Sequence, residues 1–142
     1  MPRLFALLGI LACTSCGGSP IQPSTELTTQ PRASLTVTVR DVTTRRVGST
    51  TEYSLIVGFQ ETGGIEADVT SITMNFAHVG TVTFQRPLPF AIPANGIGST
   101  GRLTVFNSNI SRRSATSVEV IVSYSDALGS RAAVVSAAVP PL

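Results

Sequence analysis

The sequence predicts an all-β domain of seven antiparallel strands folded as a sandwich, preceded by an apolar leader and a flexible tether. Three observations carry this reading. An apolar alternation of period two recurs after Ala33, segments rich in glycine, proline and asparagine separate its repeats, and charge and helix formers are scarce. The 142 residues leave room for one domain with extensions. Charged residues make up 13% of the chain, about half the usual share of roughly 25%, so serine and threonine must carry the surface. Threonine and valine together suit a pleated, half-buried face.

Seven segments carry the alternation. "SLTVTVRDV" sets Leu35, Val37 and Val39 against Thr36, Thr38 and Arg40, giving one buried and one wet face. "EYSLIVGFQ" repeats the pattern with Tyr53, Leu55, Val57 and Phe59, "VTSITMNFA" with Ile72, Met74 and Phe76, and "TVTFQ" with Val82 and Phe84. "RLTVFN", "SVEVIVSYS" and "RAAVVSAAV" follow with Leu103 and Val105, with Val118, Val120, Val122 and Tyr124, and with Ala133, Val135, Ala137 and Val139. The punctuation is chemical. "ETGGIEAD", "RPLPFAIPANGIGST", "NSNISRRSAT" and "DALGS" supply glycine for positive φ and proline or asparagine for turns. In the long loop, Phe90 and Ile92 sit between prolines. They are expected to cover an open sheet edge, with an exposed patch or strand addition by another chain as the alternatives.

The N-terminus reads "MPRLFALLGILAC", with one charge at Arg3 and an apolar run from Leu4 to Cys13. That is the layout of a signal peptide. As a helix, such a run would span about 15 Å, half the hydrocarbon core, so it cannot anchor the chain by crossing a membrane. Cys13 and Cys16 are the two cysteines of the chain. A redox pair would need a folded βαβ setting, a zinc site would need further ligands beside His78, and c-type haem would need histidine where Gly17 stands.

"ILAC" and "CTSC" both resemble the lipobox of bacterial lipoproteins, whose cysteine is diacylated and becomes the new N-terminus. Cys16 is favoured because it leaves a leader of more usual length, followed by "GGSP"; Cys13 is the alternative. The resemblance implies a lipid anchor in the cell envelope. The residue after the cysteine is Gly17 or Thr14 rather than aspartate, which implies the outer membrane where the organism has one. Without acylation, the segment reads as an ordinary secretory signal. The chain then divides into a leader (1–15), a Pro/Ser/Thr tether (16–32) with a reach of about 20–25 Å, and the domain (33–142).

Over residues 33–140 the strand pattern resembles the immunoglobulin-like and fibronectin-like sandwich. It lacks the tryptophan and intradomain cysteine pair of antibody domains, and a small closed barrel is the alternative. In that topology, with 81–86 and 88–92 as short middle strands, Glu61, Glu66, Asp68 and Asp126 gather at one end. Arg45, Arg46, Arg112 and Arg113 gather at the other. The carboxylates read first as solvated loop groups, with a Ca²⁺ site as the alternative. The arginines read as solvated, or as a contact for an acidic envelope partner.

Catalytic inventory is thin. All ten basic residues are arginine, which removes lysine chemistry, and ten scattered arginines among eight carboxylates do not make a nucleic-acid surface. His78, the only histidine, reads as a strand-end residue on the face of Ile72, Met74 and Phe76. No catalytic residue and no cofactor is therefore expected. The expected function is a membrane-anchored envelope lipoprotein whose sandwich binds or scaffolds without catalysis. The alternative is a secreted or surface carbohydrate-binding or adhesion-type module. The expected partners are the lipid bilayer, and an envelope protein or glycan.

Overall fold

The computed structural model describes residues 29–84, 90–107 and 114–142. Strands β1 (Leu35–Val47), β2 (Thr50–Glu61), β3 (Ala67–Phe76), β4 (Gly80–Phe84), β5 (Phe90–Ile92), β6 (Ile97–Ser99), β7 (Leu103–Asn107), β8 (Ser117–Asp126) and β9 (Gly129–Ala138) form two antiparallel sheets. No helix among the described residues is long and apolar enough to cross a membrane. The leader, both cysteines and all of the tether up to residue 28 lie outside the described residues.

One sheet is built on β2, which pairs with β1 along one edge and with both β6 and β7 along the other. The second is built on β3 and β8, with β9 beyond β8 and with β4 and β5 sharing the far edge of β3. Residues 90–92 thus do cover a sheet edge, as an added short strand. Between β6 and β7 the ladder breaks at residues 100–102, and Thr100 fills the gap. Its amide donates to the Val57 carbonyl at 2.9 Å, and its hydroxyl oxygen accepts the Val57 N–H at 3.0 Å. Buried backbone groups need such partners, so the interruption costs no unpaired polar atom at Val57.

Turn chemistry follows the residues. Val47 pairs with Thr50 across two residues, and Gly48 takes φ 63, as tight hairpins of the primed type require. Asp41, at φ 54, forms a bulge that shifts the β1 register between Arg40 and Thr43. The β3–β4 reversal places His78 at φ 66. His78 is exposed and belongs to this turn, not to the end of a strand beside the core. Strand periodicity stops at Phe76, so counting by two from Met74 does not reach it.

The core lies between the sheets. Tyr53, Leu55, Val57 and Phe59 of β2 face Ile72, Met74 and Phe76 of β3 and Val118, Val120, Val122 and Tyr124 of β8. Each large side chain buried here contributes about 1.5–3 kcal/mol. The rings of Tyr53 and Phe76 meet across the sandwich with centroids 4.9 Å apart, and Phe59 meets Phe90 at 5.3 Å. Both buried tyrosines satisfy their hydroxyls: Tyr53 accepts the Ala115 N–H at 3.1 Å and Tyr124 the Leu35 N–H at 3.4 Å.

Two substitutions test this packing by urea denaturation. Ile72→Ala, at a site 1% exposed, is expected to cost about 2–5 kcal/mol. Thr44→Val should leave stability unchanged or raise it by about 1 kcal/mol, because the Thr44 hydroxyl is buried without a hydrogen-bond partner.

Candidate functional site

The end of the sandwich where the chain joins it is organised by two carboxylates. Glu61 closes β2 on an inward-facing position and is 1% exposed. Its Oε1 accepts the N–H groups of Ser34 at 2.9 Å and Gly63 at 2.6 Å, and its Oε2 accepts those of Gly64 at 2.8 Å and Asn95 at 2.9 Å. Three segments are held by one anion: the start of β1, the β2–β3 loop and the β5–β6 loop. Gly63 is obligatory here, since a Cβ would overlap the Arg32 carbonyl. Burial pushes the Glu61 carboxyl up, but the N–H groups of Ser34, Asn95, Gly63 and Gly64 outweigh it and bring the pKa down to about 2.

Asp126 closes β8 in a matching role. It accepts the N–H groups of Ala33 at 3.0 Å and Leu128 at 2.8 Å, and pairs with the Arg32 guanidinium through Nη2 at 3.3 Å. The Arg32 hydrogen bonds first, then the Leu128 and Ala33 N–H groups, hold its carboxyl below the usual range against the opposing effect of burial. Arg131 of β9 donates to the Ala33 carbonyl at 2.6 Å. Residues 32–34 are therefore clasped from both sheets, and the ordered contact starts inside the segment that composition assigns to the tether.

The four carboxylates expected at this end do lie there, but they do not converge. Glu61 and Asp126 point into backbone N–H groups, Glu66 is exposed before β3, and Asp68 lies half-buried on the outer face of β3 opposite Ser125. Among the described residues, no group of three or more His, Cys, Asp or Glu side chains comes together. The end also carries Arg32 and Arg131, so it is not an acidic patch.

At the other end, Arg45 lies opposite Glu52 across β1 and β2. The pair is bidentate, Nε to Oε1 at 2.8 Å and Nη2 to Oε2 at 2.7 Å, and it raises the Arg45 pKa through the hydrogen bond and the carboxylate charge. Arg46 stays exposed near the strand end, while Arg112 and Arg113 lie outside the described residues. Sequence reasoning puts Arg45 with free loop arginines, whereas β1 runs on to Val47 and gives it a cross-strand partner.

A feature that strand counting misses lies on the outer face of the β1-β2-β6 sheet. Thr38, Gly58 and Ser99 form one row across it, and Thr36, Gln60 and Ile97 the next. Because Gly58 has no side chain, the face is dished into a groove of about 490 Å³, with Arg40 among its lining residues. A Cβ at Gly58 would stand 2.7 Å from Thr38 Oγ1. Hydroxyls, an amide, a guanidinium and the exposed Ile97 suit a polar, partly apolar ligand. The available signal was Gly58 itself, a glycine on the wet side of an alternating strand.

No protein-family model and no curated protein matches the chain. Its fold is similar to that of a Northeast Structural Genomics Consortium target solved by X-ray crystallography. That likeness has a TM-score of 0.52 at 14% identity, and covers 75% of this chain and 87% of the other. At such identity it speaks for the fold alone.

Glu61→Gln replaces an acceptor oxygen with an NH₂ group facing backbone donors, and should cost about 2 kcal/mol in denaturation. Both carboxylates bind protons more weakly folded than unfolded. Their stabilisation is complete above the unfolded Glu value of 4.5 and is lost as pH falls towards about 2. The melting temperature should drop across that window in the wild type, and drop less in Glu61→Gln.

Proposed function

We propose that the chain is a lipid-anchored bacterial envelope protein whose β-sandwich is a non-catalytic binding or structural module. The observation that carries this reading is the clasp on residues 32–34. A chain that starts with an apolar leader, reaches Cys16 and continues through a Pro/Ser/Thr segment joins the sandwich at a single tied end. A module held from one end presents its far end and both outer faces to partners. Several acyl chains on one cysteine would anchor it without a transmembrane helix.

The strand order supports an immunoglobulin-like, fibronectin-like module. If β4 with β5 and β6 with β7 each count as one interrupted strand, seven positions result, three in the β2 sheet and four in the β3–β8 sheet. A carbohydrate-binding or adhesion-type role is the second reading, favoured by the groove over Gly58, which Arg40 lines together with Thr36, Thr38, Gln60 and Ser99. Its Ca²⁺-dependent form draws no support from carboxylates that hold backbone N–H groups. Of the arginines proposed for partner contact, Arg45 is tied to Glu52, and that role passes to Arg46, Arg112 and Arg113.

Intact mass of the membrane-fraction protein, expressed in a bacterium that processes lipoproteins, tests the anchor. An acylated species is expected in the wild type and in Cys13→Ala, and should vanish in Cys16→Ala. Loss in Cys13→Ala alone would move the anchor to Cys13. No acylated wild-type species would overturn the anchor and leave a secreted module, whose glycan binding should then weaken in Arg40→Ala.

A further inference from the structure

Among the described residues, the two sheets have four edges to which no further strand pairs, and three of them are blunted. The β1 edge bends at the Asp41 bulge and carries Arg40, Asp41, Arg45 and Arg46. The edge formed by β6 and β7 is cut into pieces of three and five residues, and that of β4 and β5 into pieces of five and three. Bulges, charges and shortness are the usual defences against strand addition.

The fourth edge, β9, is neither short nor bulged. Its ten residues, "GSRAAVVSAA", pair with β8 from Asp126↔Gly129 to Ser117↔Ala138 without a register shift. It contains no proline and one charge, Arg131, whose guanidinium is engaged by the Ala33 carbonyl. No described strand hydrogen-bonds to its outer side, and β1 of the other sheet packs against β9 without pairing with it. Val134, at its middle, is 59% exposed. A long, flat, almost uncharged edge of β-branched and small residues is a template for another strand.

We propose that β9 pairs antiparallel with β9 of a second copy of this chain, with Val134 opposite Val134. The strand is self-complementary in that register. Ala133 meets Val135, Ala132 meets Ser136, and each Arg131 meets Ala137, so the two like charges stand at opposite ends of the seam. Ile121 lies beside Val134 on the same outer face. The pairing therefore runs an apolar row, Ile121–Val134–Val134–Ile121, across the two-fold axis, as an isologous interface requires. The two β3–β8 sheets become one continuous sheet. Edge pairing buries less area than a standard interface, which sets the dimer among the weaker, concentration-dependent ones.

The test uses the full chain in detergent, with Cys13→Ala and Cys16→Ala so that no native thiol interferes. Adding Val134→Cys should give a disulfide-linked dimer on mild oxidation, whereas Leu128→Cys and Phe106→Cys, also exposed, should remain monomeric. Light scattering of the parent chain between about 1 and 100 µM should show a mass rising towards the dimer. Val134→Lys should weaken that association about tenfold or more, since it sets like charges opposite each other. An unchanged circular dichroism spectrum would show that this variant is folded. A monomer over the whole range, or cross-linking at Leu128 or Phe106 as fast as at Val134, would overturn the proposal.

Discussion

The Glu61 carboxylate is the constraint on which the organised end of this protein depends. The tied end of a sandwich is made of loops, and loop N–H groups have no ladder partners. Here four of them, from three separate segments, turn onto one buried anion. A buried charge is tolerated only with strong compensation, and backbone dipoles supply it without a counter-cation. An uncharged residue in its place would leave several donors unpaired, and the start of β1 would lose its register against the end of β2, where Leu35 faces Glu61. Asp126 repeats the device from the second sheet, so the segment feeding β1 is gripped by both layers.

That grip gives the molecule a polarity that its charge composition does not. Carboxylates and arginines are few, and at the tied end Glu61, Asp126, Arg32 and Arg131 are engaged by one another or by backbone groups within the fold. On the outer faces, hydroxyl side chains take their place, in pairs such as Thr43–Ser54 and Thr73–Thr83. A surface of this kind offers hydrogen bonds and shape more than electrostatic attraction. It suits recognition through a groove or a sheet edge better than steering of a highly charged partner.

Edges complete the picture. Interruption of β6–β7 and β4–β5 and the bulge in β1 each cost ladder hydrogen bonds, and Thr100 restores two of them. The unbroken β9 stands apart from the three, and its regularity brings the exposed Val134 to the rim.

Sequence alone determined what local periodicity can encode. Alternation with period two located the long strands, and the leader, cysteines and Pro/Ser/Thr segment suggested a location. The three-residue strands β5 and β6 were too short for a period to show, although 88–92 was legible as a middle strand. Glu61 and Asp126 were legible as acidic residues at one end, but which way they point depends on strand parity at the final residue and on loops brought in from 27 to 93 positions away. His78 was misplaced because a turn cancels the strand period. Only the tertiary structure decided that the carboxylates serve the backbone, that Gly58 opens a groove, and which edge stays free, because each depends on contacts between segments distant in the chain.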